Sequence, residues 1–258
     1  MISSDFRAEA RRKLVGKWGT AACIMLAYGV ISFLISFIEG LLPDSLSALG
    51  SILNIAIEVP LSFGLIFSFL KLFNDEDVKA FDFVKLAIDN FGRAWGVSLY
   101  TFLKMIVPLL LILLGYFLLV GVGIYFYSTA LYGGSSTVSV LLALISFVLI
   151  VAAGIWAFTK SFYYKLAHFV AMENPTMNTS DAVSESEKLM TGKRFSFFCL
   201  DFSFIGWAIL ATLTFGIGFL WLIPYVECAH IVFYKYLSKK DTNVEVEATT
   251  AENTTENI

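Results

Sequence analysis

The stretch LYTFLKMIVPLLLILLGYFLLVGVGIY, residues 99–125, decides the fold. Lys104 is its single charged side chain, and it exceeds the about 20 residues that carry an α-helix through about 30 Å of hydrocarbon. An amphipathic helix of a soluble protein shows a polar face every 3.6 residues, and this run has none. Pro108, Gly115, Gly121 and Gly123 inside it predict a helix that tilts, kinks or ends in the outer interface.

Comparable apolar runs occupy 19–39, 52–70, 138–158, 198–215 and 219–236. The expected fold is therefore all-α, a polytopic transmembrane helical bundle of about six spans. Only Gly216-Ile217-Gly218 separates the last two runs, so five spans with a broken final helix is the alternative. Composition agrees: 58% of residues are hydrophobic, 15% are charged and the mean hydropathy is +0.77, whereas soluble domains carry about 25% charged residues. With 258 residues there is no room for a sizeable soluble domain beside the spans. Residues 1–240 read as one transmembrane domain. The segment 241–258 is acidic, rich in Thr and Asn and without apolar period, and is expected to be a disordered cytoplasmic tail.

Basic residues set the orientation, because Lys and Arg stay on the cytoplasmic side during insertion. Arg7, Arg11, Arg12, Lys13 and Lys17 precede the first run. Lys71, Lys79, Lys85 and Arg93 follow the second, Lys160, Lys165, Lys188, Lys193 and Arg194 follow the fourth, and Lys235, Lys239 and Lys240 end the sixth. The intervening loops 40–51, 126–137 and 216–218 contain no Lys or Arg. Both termini are thus expected in the cytoplasm. Lys104 is the exception, and its stem is expected to snorkel back to the interface. The first run lacks a small-residue cleavage site and reads as a retained span, not a signal peptide.

Two cytoplasmic segments read as surface helices. Phe81, Val84, Ile88, Phe91 and Trp95 form an apolar stripe opposite Asp82, Lys85 and Asp89, and Asp181 to Met190 is bounded by Ser180 as N-cap and Gly192 as C-terminal stop. A threefold pattern links such helices to the spans. A glycine, a base and an aromatic recur in Gly16-Lys17-Trp18, Gly92-Arg93-Ala94-Trp95 and Gly192-Lys193-Arg194-Phe195. Phe69-Leu70-Lys71, Tyr163-Tyr164-Lys165 and Phe233-Tyr234-Lys235 recur at the exits, with Pro60, Gly154 and Pro224 eleven residues before the lysines. Three repeated helical hairpins would produce this pattern, and so would the shared demands of a cytoplasmic interface.

The stretch Ser186-Glu187-Lys188-Leu189-Met190-Thr191-Gly192-Lys193, then Phe198 to Trp207, then Thr214 to Tyr225, resembles the signature of the bacterial integral membrane family called domain of unknown function 975. Arg7-Ala8-Glu9-Ala10-Arg11 and Gly16-Lys17-Trp18-Gly19 are similar to its opening, and the resemblance extends nearly to Tyr236. Asp201 departs from it, standing where an apolar residue is expected. The resemblance implies a multi-pass protein of the bacterial cytoplasmic membrane and implies no activity.

Candidate chemistry lies in polar groups inside the spans, where a charge costs about 2.5 to 3.5 kcal/mol on insertion scales. Glu58 stands just before Pro60, Asp201 lies near the inner end of the fifth run, and Glu227 and His230 share a helix face in the sixth. Together these four could relay protons or ions; otherwise they answer backbone groups freed by Pro60 and Pro224. Two adjacent ligands make a weak metal site, so no metal or cofactor is expected. Cys23, Cys199 and Cys228 lack paired spacing and read as packing residues without disulfide partners. His168 reads as interfacial. No phosphate loop, nucleophile elbow or zinc-protease motif is present, so catalysis is not expected. The leading expectation is a membrane-embedded accessory or scaffold component whose partners are the lipid bilayer and other membrane proteins, not nucleic acid. The alternatives are a transporter or exporter subunit for an ion, lipid or peptide, and then a lipid-active enzyme.

Overall fold

A computed structural model describes residues 2–132 and 136–255. The described residues are helical with connecting turns and contain no strand. A basic helix, α1 (Ser3–Leu14), leads into a hairpin of α2 (Trp18–Gly40) and α3 (Ser47–Phe73). The short α4 (Asp82–Asp89) precedes a second hairpin, α5 (Phe91–Tyr132) and α6 (Ser136–Ser161). After a 3-10 turn at Phe162–Tyr164 come α7 (Ala167–Glu173), α8 (Thr179–Met190), α9 (Arg194–Phe202) and α10 (Ile205–Leu213), and α11 (Phe219–Thr255) ends the chain.

Five helical stretches are long and apolar enough to cross a membrane: Trp18–Gly40, Ser47–Phe73, Phe91–Tyr132, Thr137–Glu173 and Arg194–Leu213. They coincide with the first five apolar runs. The run 219–236 is not among them, because Glu227, His230 and Lys235 dilute its hydropathy. The fifth stretch is itself interrupted at Ser203 and Phe204, between α9 and α10. Pro60, Pro108 and Pro224 all lie inside helices that continue through them. The acidic segment read as unstructured meets a helical backbone as far as Thr255. That extension avoids the nucleation cost because the preceding turns of α11 are already formed. Residues 256–258 of that segment lie outside the described residues.

Buried side chains gather at the end of the bundle that carries the basic residues. Phe6, Ala10 and Leu14 of α1, Leu61 to Leu72 of α3, Phe83 and Ala87 of α4, and Cys228 to Leu237 of α11 belong to one core. Helix α11 is its centre and packs against α1, α2, α3, α8 and α10. At the opposite end the hairpins separate, and Phe117 of α5 is 74% exposed. Such side chains suit lipid, where apolar surface gains nothing by burial against another helix.

The surface helices are present with corrected details. In α4 the inward face is Phe83 and Ala87, while Phe81 and Ile88 of the apolar stripe are exposed and point away from the bundle. Helix α8 starts two residues earlier than expected, with Asn178 and not Ser180 as its N-cap, and Gly192 follows it with φ 73°. Gly16 has φ 79°, so the first and third hairpin entries share a left-handed glycine, whereas Gly92 is helical within α5. The backbone thus repeats in two of the three entries.

Asp75, in the loop after α3, accepts from Lys13 at 3.0 Å and Lys17 at 2.5 Å, and Lys17 also donates to the Leu72 carbonyl at 2.7 Å. The Lys17 and Lys13 ammonium groups hold the Asp75 carboxyl below its ordinary range. The stability this gives is present above the ordinary carboxyl range and is lost as pH falls through the lowered value. Asp75→Asn retains a residue tolerant of its φ of 65°, so it should remove the charge alone. Unfolding of both proteins in nanodiscs from pH 7 to pH 3 should show a small deficit in the variant that begins to shrink as pH falls below the ordinary carboxyl range. A deficit independent of pH would refute the pairing.

Gly64 brings α3 against α4. A methyl group there would collide with the Phe83 carbonyl and lie 2.8 Å from the Ala87 nitrogen, both backbone atoms. Gly64→Ala should therefore cost about 1–3 kcal/mol, measured by thermal unfolding in nanodiscs, as overpacking against backbone does. An unchanged midpoint would rule out the contact.

Candidate functional site

Helix α9 places Phe197 and Asp201 one turn apart, and α11 places Glu227 and His230 one turn apart. Where the two helices meet, the His230 ring stacks on Phe197 with centroids 4.8 Å apart. Its Nε2 lies 2.6 Å from Asp201 Oδ1, and its Nδ1 lies 3.9 Å from Glu227 Oε2. Each imidazole nitrogen therefore faces a carboxylate. The first separation is a hydrogen bond, and the second is an ion-pair distance too long for one. Phe233, buried on α11, packs edge-on to Phe197 and completes the apolar wall.

Beside this group lies a cavity of about 410 Å³ whose polar lining is Thr101, Ser161, Tyr164, Lys165, His168, Glu227 and His230. The hydroxyls of Thr101 and Tyr164 are buried there without a protein partner. His168 belongs to the cavity wall and packs against Phe63 with centroids 5.7 Å apart, so its place is interior and not the interfacial one expected. The arrangement supplies donors, acceptors and both charge signs to a small polar guest, and unfilled hydroxyls at such a site call for a partner.

Of the four candidate residues, the structure joins three. Asp201, Glu227 and His230 form one cluster, so the acid at position 201 has a histidine partner. Glu58 stands apart, between α2 and α3. It accepts from the Tyr28 hydroxyl and from Ser32 Oγ, 3.1 and 3.3 Å from its two oxygens. The partners of these acids are side chains. Among the described residues, no three His, Cys, Asp or Glu side chains converge as metal ligands do.

Other charges are matched similarly. Lys104 does not snorkel alone but lies 3.5 Å from Glu187 of α8, and Lys235 pairs with Glu173 at the end of α7. Arg93 donates to the carbonyls of Ala171, Asn174, Pro175 and Met177, at 2.5 to 3.0 Å. This cation covers the C-terminal carbonyls of α7, where the helix dipole is negative. Sequence reasoning missed Tyr28 and Ser32, although their i, i+4 spacing puts both hydroxyls on one helix face. It also missed the roles of Thr101, Tyr164 and Arg93, whose partners lie on distant elements.

Asp201→Asn and His230→Gln should each lower stability in nanodiscs by about 2 kcal/mol, and the double variant should lose less than the sum, with about 1–3 kcal/mol of coupling. Additive losses would show that the two side chains do not act as a pair.

No curated protein and no solved structure matches this chain. A family model described as "Protein of unknown function (DUF975)" matches residues 1–241, which takes in all five membrane-length stretches, the Asp201–His230–Glu227 cluster and Glu58, and stops as the acidic tail begins. The chain belongs to the DUF975 family.

Proposed function

We propose that this chain is a multi-pass accessory or scaffold component of a bacterial cytoplasmic membrane that assembles with other membrane proteins. One observation carries the reading: acids of the bundle are matched to side chains on other helices of the fold. Glu58 is held by Tyr28 and Ser32, Asp201 by His230, Glu187 by Lys104 and Glu173 by Lys235. A conducting path needs polar groups in continuous series, whereas paired groups fix helices against one another. The long hairpin α5–α6 adds apolar faces available to lipid and to other helices.

Contact between the first and last helices supports both termini lying on one side: the Phe6 and Phe233 rings are 5.1 Å apart. The excess of Lys and Arg at that end supports the cytoplasmic side. The reading assigns the chain no catalysis and no cofactor.

A transporter subunit is the second reading, favoured by the cavity with the unpartnered Thr101 and Tyr164 hydroxyls beside Glu227 and His230. Native mass spectrometry of the chain taken from its own membrane in nanodiscs separates the two. A stoichiometric protein partner is the expected result. A solitary bundle carrying a defined small solute, lost on Glu227→Gln, would replace the scaffold reading with the transport one.

A further inference from the structure

Helices α10 and α11 form an antiparallel hairpin that closes tightly. Phe204 packs on Tyr225 with ring centroids 5.1 Å apart, and near the turn a side chain at Gly218 would lie 2.7 Å from Ala211 Cα. Thr214 Oγ1 accepts from the Gly218 amide at 2.8 Å and fixes the turn, in which Phe215 and Gly216 both have positive φ. This hairpin is short. The Tyr225 ring meets Trp18, the first residue of α2, at 6.1 Å. Only Phe219 to Pro224 of α11 extend beyond that contact, about 9 Å at 1.5 Å per residue, whereas α2 continues for about 33 Å.

Between the hairpin and α2 runs a groove of about 350 Å³ walled by Trp18, Trp207, Leu210, Trp221 and Leu222, with Arg11 at its mouth. The bases of α1 are not equivalent. Arg12 pairs with Glu9, and Lys13 and Lys17 pair with Asp75. Arg11 is exposed and has no carboxylate partner among the described residues. Arg7 donates to the Ser203 carbonyl at 3.4 Å, while its Nε is buried with no partner, and its own carbonyl accepts from Tyr225 at 3.3 Å. An apolar, tryptophan-lined groove thus includes the Arg11 guanidinium, which the protein's own acids leave unneutralised among the described residues, and Arg7 lies one turn before it on α1.

We infer that this groove holds one anionic phospholipid, its acyl chain against Trp207, Leu210 and Trp221 and its phosphate at Arg11. Apolar walls take a chain of any lipid, so they set no preference among headgroups. The preference comes from Arg11, whose planar donors match phosphate oxygens and whose charge favours an anionic headgroup over a zwitterionic one. Because α10 and α11 stop short of the far end of α2, the chain lies beside the hairpin and covers apolar surface that a full-length hairpin would cover itself.

The test uses the full chain in vesicles of phosphatidylcholine doped with brominated phosphatidylglycerol or brominated phosphatidylcholine, reading quenching of tryptophan fluorescence. Trp18, Trp207 and Trp221 are three of the five tryptophans, so occupancy of the groove dominates the signal. The anionic lipid should quench at a lower mole fraction than the zwitterionic one. Arg11→Gln should weaken that preference about fivefold, the effect of one arginine near a phosphate, and Arg11→Glu should abolish it. Both changes are at an exposed side chain, and Lys160→Gln, beside Trp156 and away from the groove, should leave the preference intact. Equal quenching by the two lipids, an unchanged preference in Arg11→Glu, or relief of quenching by millimolar inorganic phosphate alone would overturn the assignment.

Discussion

A charge placed in or near hydrocarbon must find a counter-charge or a dipole, and in this fold that requirement ties the helices together. Apolar packing holds α5 to α6 and α1 to α11, and further elements remote in sequence are joined where a polar group meets its match. Asp201 of α9 meets His230 of α11, Lys104 of α5 meets Glu187 of α8, Arg93 of α5 meets the carbonyls that end α7, and Lys17 meets the end of α3. In lipid, where burying a leucine against another helix gains little over burying it against acyl chains, such contacts carry much of the specificity of assembly. They also explain the uneven packing of the molecule, dense at the basic end and open at the other.

The fold was legible because its signal is additive along the chain. Five of the apolar runs are membrane-length helices, and the glycines at positions 16 and 192 end helices with the left-handed backbone their residue type permits. Legibility failed where a decision depends on a partner far away in sequence. Nothing local distinguishes the α10–α11 turn from a turn between two full spans; its depth is set by the meeting of Tyr225 with Trp18. Likewise the stripe of α4 was visible, but that Phe83 and Ala87 form the inward face follows from the bare surface of Gly64 opposite them.

The same division applies to the candidate site. Glu227 and His230 could be joined from their spacing alone, and Asp201 stood out as an acid in an apolar setting. Their meeting across two helices could not be read, nor could the separation of Glu58, whose hydroxyl partners lie on α2. Membership of the DUF975 family adds no activity to these residues. What the geometry adds is a distinction between acids matched inside the bundle and a cavity whose hydroxyls are not, and between the paired and unpaired bases of α1.

Cohesion and not conduction is the role proposed for the intramembrane acids. Proteoliposomes containing the chain and an internal pH-sensitive dye, given an inward proton gradient with a potassium diffusion potential, address it directly. Acidification at the rate of protein-free liposomes is the expected result. Acidification well above that rate, abolished by Glu227→Gln in protein that remains folded, would contradict it.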